Sequence, residues 1–224
     1  MKITIDPGHG GSDSGATANG LKEKDIVLNV AKKLKSILIN DYENVSIQMT
    51  RDSDVFVELN KRANLANDWG ANYFVSIHVN AGGGHGFESY IYNGNVSSNT
   101  INYRSIIHDE IISQLGFYDR GKKEANFAVL RETNMPAILL ENLFIDNKED
   151  ANWLKSDENL KRLAIATAEG IAKALKLKKK TSTDTKTGYY QVVTGSFEEK
   201  ANAEKRVEEL KKAGFDSFIE YDEK

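Results

Sequence analysis

Apolar and polar positions along the chain alternate between two periods, and the switch between them divides the first 177 residues into strands and helices. Lys2 to Ile5 reads as a short strand that runs into the Gly-rich turn "DPGHGGSDSG". Ile26, Val27, Val30, Leu34, Ile37 and Leu38 recur at helical spacing and predict a helix over 25–39. "VSIQMT" (45–50) alternates as a strand does, and 57–69 returns to helical spacing. "YFVSIHVN" (73–80) and "FESYIY" (87–92) predict strands separated by a Gly-rich turn. Residues 99–115 predict a helix through Ile101, Ile106, Ile111 and Leu115, "NFAVLR" and "AILLEN" predict two further strands, and 160–177 a closing helix. Strands alternating with helices predict an α/β fold with a twisted, largely parallel central sheet flanked by helices.

The pattern then fails. "KLKKKTSTDTKTG" is rich in Lys and Thr and has no apolar period, so 178–188 reads as a linker between a large domain (1–177) and a small tail (189–224). The tail reads strand, helix, strand.

Composition narrows the chemistry. Of 224 residues 40% are hydrophobic, which suffices for a sizeable core, and the net charge of −3 gives no general attraction to nucleic acid or a membrane surface. The absence of cysteine excludes disulfides, thiolate zinc sites and cysteine nucleophiles. "MKITIDPGHG" breaks at Asp6 and Pro7 and is no secretory segment, so the expectation is a chain made in the cytoplasm.

One residue breaks the pattern of its own strand. "PAILLENLFIDN" (136–147) is apolar on both sides of Glu141, and a buried ionised carboxylate costs several kcal/mol unless something compensates it. His9, in the turn after the first strand, and His78, near the end of "YFVSIHVN", map with Glu141 to the carboxyl edge of a parallel sheet, where such folds form their crevice. Glu23 stands just before the first long helix. Two His and a carboxylate suit zinc, which lowers the pKa of water to about 7, and a second carboxylate beside it accepts a proton. Blander readings stand beside this one. His9 serves equally as a turn residue and Glu23 as a partner of the helix dipole. "GHGGSDSG" offers backbone N–H groups to a phosphate, although it lacks the Lys of a P-loop. His85, in a flexible Gly-rich loop, is not expected to be a ligand. His108, beside Asp109 and Glu110, is expected on a solvated helix face. Arg51 and Arg62 suit an anionic substrate, with structural or surface ion pairs as the default.

The blocks "DPGHGG", "LKEKD", "MTRDSD", "ELNKRANLAN", "FVSIHVNA", "GFESYIY", "NFAVLRETNMPAILLEN" and "FIDN" occur in order over 1–176 and together resemble the zinc-dependent N-acetylmuramoyl-L-alanine amidases. The resemblance implies a six-stranded sheet, one zinc ion held by His9, Glu23 and His78, and Glu141 as catalytic carboxylate. It implies hydrolysis of the amide between N-acetylmuramic acid and L-alanine of peptidoglycan; with no secretory segment read at the N-terminus, the expectation is an endolysin or a mother-cell autolysin reaching the wall after release. A wall-binding protein without catalysis and a zinc peptidase acting within stem peptides are the alternatives. One departure stands out: Leu143 occupies a position where the family most often has Gly, and a side chain there is expected to narrow or redirect the cleft. The tail resembles half of a sporulation-related (SPOR-like) repeat that binds peptidoglycan glycan strands. Its apolar residues Val192, Phe197, Val207, Leu210, Phe215, Phe218 and Ile219 raise the expectation of a homodimer joined through this half-module.

Overall fold

The computed structural model describes residues 1–180 and 194–221 and comprises two compact units, Met1–Thr181 and Ser182–Lys224. In the first, the elements in chain order are β1 (Lys2–Pro7), β2 (Thr17–Ala18), β3 (Leu21–Lys22), α1 (Glu23–Asp41), β4 (Ser46–Met49), α2 (Leu59–Trp69), β5 (Tyr73–Asn80), β6 (Phe87–Tyr92), α3 (Ser98–Leu115), β7 (Asp119–Ala125), α4 (Ala128–Arg131), β8 (Ala137–Phe144), α5 (Lys148–Leu154) and α6 (Asp157–Leu175). Six strands form one sheet in the order β4-β1-β5-β8-β6-β7, and β2 and β3 form a separate ribbon. Every pairing in the large sheet is parallel except β6 with β8.

The strands with two neighbours are those with continuous burial. β5 is buried from Tyr73 through Ile77, and β8 from Ala137 through Leu140. Ile3, Ile5, Val75, Ile77, Val79, Phe87, Ile138 and Leu140 form the main core with the apolar faces of α1, α3 and α6. A smaller cluster, with Phe74, Ala137 and Leu139 against Ala66, Val129 and Leu130, covers part of the opposite face under α2 and α4. Three helix starts carry side-chain caps: Ser97 accepts from Thr100 N–H, Asn147 from Glu149 and Asp150 N–H, and Ser156 from Asn159 N–H.

Two local expectations are corrected, and one strand appears where none was expected. "NFAVLR" is not a strand; its apolar residues form the single-turn α4, which buries Val129 and Leu130 against α2. A short apolar run does not by itself distinguish strand from helix. The strand lies one segment earlier, in the charged stretch "DRGKKEA", which pairs only with β6 at the sheet edge. An edge strand needs no apolar face and is commonly charged. In the second unit the helix α7 (Lys200–Lys212) forms as expected, but the described residues 213–221 form no strand. A strand needs a partner for its ladder, and none lies among the described residues of this unit; 189–193, where the first strand was expected, lie outside them. No described helix is long and apolar enough to cross a membrane.

Candidate metal centre and active site

The His9 turn is held from below by charge. Asp6 is buried and accepts hydrogen bonds from Thr50 Oγ1 (2.6 Å), Ser76 Oγ (2.7 Å) and Arg62 Nη1 (2.9 Å). Arg62 also donates to the carbonyls of Val57, Pro7 and His9. Arg51 donates to those of Pro7, Gly8, Lys24 and Ser53. Both arginines are nearly inaccessible to solvent and structural; Arg62 acts through the expected ion pair, with Asp6, and Arg51 through carbonyl contacts. Their donors satisfy the carbonyls of a tight turn in which His9 has a φ of 58°. Gly8 is required by close approach, because a Cβ there would lie 2.2 Å from the His78 ring. Gly15, at φ 61°, leaves room for the Glu23 carboxylate and the His9 ring.

These constraints bring three of the predicted residues together. Glu23 opens α1, and its carboxylate faces both imidazoles: Oε2 lies 3.1 Å from His9 Nε2, and Oε1 lies 3.0 Å from His78 Nδ1. Backbone N–H groups of Ala16 and Val79 donate to the same carboxylate, each at 3.0 Å. One donor atom from each of His9, Glu23 and His78 lies within 4.8 Å of the others. That separation fits a single ion with N and O ligands at about 2.0–2.2 Å. Asp13 Oδ2 sits 2.8 Å from His9 Nδ1, an outer carboxylate that fixes the ring with Nε2 toward Glu23.

The charges respond to this crowding. Burial works against a proton on His9, but hydrogen bonds with Glu23 and Asp13 outweigh it and carry the ring up to about 9. His78 is raised as well: burial opposes its charge, and the Glu23 hydrogen bond overcomes that. Burial pushes Glu23 up, yet the two imidazoles more than reverse it and hold the carboxylate ionised well below its ordinary range. A carboxylate that draws positive charge onto both rings makes the same electrostatic demand that a divalent cation meets.

Glu141 stands beside this group as the cross-strand partner of His78. Its Oε2 is buried and has no hydrogen-bond partner among the described residues. Burial pushes its carboxyl up to about 7; His78 pulls it back only in part, and Glu23 and Glu88 add to the rise. Immediately after it, β8 carries one more residue than β5 between successive pairs, and in this bulge Leu143 adopts a φ of 70°. The Leu143 side chain is buried in the main core, so it does not narrow or redirect the cleft as expected from sequence.

The remaining histidines lie elsewhere. His85 packs against Tyr118, with ring centroids 4.4 Å apart, and takes no part in the cluster. His108 is not on a solvated face; it is fully buried, 2.8 Å from Ser89 Oγ and 2.9 Å from Asp119 Oδ1. Its neighbours Asp109 and Glu110 point in other helical directions, so their charge says nothing about its side.

A family model described as N-acetylmuramoyl-L-alanine amidase matches residues 3–173. The chain belongs to this family. It is 52% identical over 219 residues to the sporulation-specific N-acetylmuramoyl-L-alanine amidase of Bacillus subtilis, covering 98% of this chain and 84% of that protein. The endolysin of Bacillus phage SPP1 is 54% identical over 184 residues, covering 80% of this chain and 68% of the endolysin. Among solved structures, an N-acetylmuramoyl-L-alanine amidase from Clostridium difficile superposes with a TM-score of 0.75 at 33% identity, covering 78% of this chain and 96% of the other. A SPOR domain model also matches, over 145–219. In this amidase-family chain the first part of that match is α5 and α6, whose apolar residues belong to the main core, so only the later part can contribute to the second unit.

Two parts of the site escaped the sequence reading. Asp13 was legible in principle, as a carboxylate four residues after His9 in the same turn. The buried Glu88, the cross-strand partner of Glu141, had no such signal, because its cations come from the unrecognised strand β7.

Proposed function

We propose that the chain hydrolyses the amide between the lactyl group of N-acetylmuramic acid and L-alanine in peptidoglycan, with zinc held by His9, Glu23 and His78. The observation that carries this reading is the half-buried carboxylate of Glu141, whose Oε2 has no hydrogen-bond partner among the described residues, beside a His/Glu/His donor set. When bound, zinc supplies Lewis acidity to a carbonyl oxygen and to water. The Glu141 carboxylate takes a proton from the attacking water, and the hydroxyl adds to the carbonyl carbon. The same proton passes to the nitrogen of L-alanine as the C–N bond breaks. Asp13 keeps the His9 ring oriented, and Arg51 and Arg62 keep its backbone turn from relaxing.

Digestion of purified walls with and without a chelator, followed by fragment identification, tests the reading. The expected products are stem peptides with a free N-terminal L-alanine and an intact glycan, released only without chelator. New termini inside the peptide would indicate a peptidase, and binding without release a non-catalytic wall protein; either result would contradict the assignment.

The SPOR match supports wall affinity for the C-terminal unit, which raises local substrate concentration without altering the chemistry. In that unit Phe197, Phe215, Phe218 and Ile219 are exposed, and this supports pairing with a second copy of the unit. Light scattering checks the pairing, and a monomer at high micromolar concentration would refute it.

A further inference from the structure

The open face of the sheet carries a second polar cluster that the hydrolytic chemistry does not use. His78, Glu141 and Glu88 are successive cross-strand partners on β5, β8 and β6, so their side chains form one row on one face. Glu88 is only 3% exposed. Its Oε1 accepts from Asn80 Nδ2 (2.8 Å) and Tyr90 Oη (2.6 Å), and its Oε2 from Arg120 Nε (2.8 Å) and Lys123 Nζ (2.5 Å). One buried carboxylate therefore orients two cations, and the group keeps a net positive charge.

Both cations still have donors to offer. The Arg120 guanidinium lies over the Phe144 ring, 4.7 Å from its centroid, and among the described residues its Nη1 reaches only the His85 carbonyl, at 3.5 Å. The Arg120 and Lys123 side chains are 28% and 36% exposed. A guanidinium and an ammonium fixed side by side, with N–H groups facing solvent, form a receptor for a carboxylate.

We propose that Arg120 and Lys123, held by Glu88, bind a free carboxylate of the stem peptide and so place the peptide side of the substrate over β6 and β7. The proposal rests on the amidase reading above. N-acetylated glycan is uncharged, whereas the glutamate that follows L-alanine is linked through its side chain and keeps a free α-carboxylate. Distances agree. β7 lies two strands from β8, or roughly 10 Å. Two extended residues span roughly 7 Å from the scissile nitrogen, and a hydrogen bond of about 2.8 Å completes the reach.

The test compares kcat/KM on muropeptides whose second residue is glutamate with kcat/KM on the same muropeptides carrying its α-amide. The wild-type chain is expected to prefer the free carboxylate by about tenfold or more, mainly through KM. The preference should fall toward one in Arg120→Gln and in Lys123→Gln, both on an edge strand where folding is less at risk. A fold defect lowers both rates together and leaves their ratio in place. A wild-type ratio near one, or a ratio unchanged in both variants, would overturn the subsite. A wild-type chain that cleaves neither substrate would refute the amidase reading, and the subsite with it.

Discussion

The two faces of the central sheet are made by the same strands and do different work. In β5, Val75, Ile77 and Val79 point into the main core, while Ser76, His78 and Asn80 point to the opposite face. In β8, Ile138 and Leu140 fill that core, and Glu141 next to them shares the row of His78 and Glu88. The closed face is mainly apolar under α1, α3 and α6, with Ser89 paired to the buried His108 of α3. The open face is apolar only beneath α2 and α4 and turns polar toward the carboxyl ends of the parallel strands. Adjacent residues thus answer to different constraints, and substitutions one position apart should fail in different ways.

The largest expected separation is between His78 and Ile77. His78→Ala should abolish stoichiometric zinc binding and wall hydrolysis while leaving a cooperatively folded chain, as metal analysis and thermal melting will show. Ile77→Ala should keep its ligands but lose about 2–5 kcal/mol of stability in denaturant unfolding. A chain that loses its fold in the first case, or its stability by less than 1 kcal/mol in the second, would erase the distinction between faces.

Acid should probe the buried carboxylate of the open face. Burial pushes Glu88 up, but hydrogen bonds from Lys123, Tyr90 and Arg120 outweigh it and hold the carboxyl at about 2, below its ordinary 4.5. The unfolded chain therefore binds this proton more tightly than the folded one. The contribution of Glu88 to stability is complete above about 4.5 and is lost as pH falls toward about 2. Wild type should exceed Glu88→Gln in stability at pH 7, and the gap should close through that window. A gap independent of pH would place the interaction elsewhere.

Leu143 should give the smallest effect. It is buried, so its removal costs core contacts, but its left-handed backbone stores roughly 1–2 kcal/mol that glycine releases. Leu143→Gly should therefore cost roughly 1–2 kcal/mol less in denaturant unfolding than Leu140→Gly, provided the latter folds; an equal cost would mean the bulge is unstrained.

The same contrast decides what was legible in the sequence. β5 and β8 declared themselves because strands with two neighbours bury most of their residues, and Glu141 was conspicuous because it interrupts such a run. His9, Glu23 and His78 followed from their places at element ends and from the ordered family blocks. β7 was illegible: an edge strand of Asp, Arg, Lys and Glu has no apolar alternation, and with it the Glu88 cluster was lost. The burial of His108 is not legible from its flanking charges, because helical neighbours point about 100° apart. The bulge at Leu143 was visible only as an unusual residue, since backbone sign is not written in side-chain polarity.

Glu141→Gln tests the central claim most directly, when zinc content and turnover are measured on the same preparation. The variant should keep wild-type metal stoichiometry and melting temperature, with turnover reduced by about 10²–10⁴-fold or more. Near-normal wall hydrolysis with normal zinc would make Glu141 a structural residue and contradict the division of labour between the two faces.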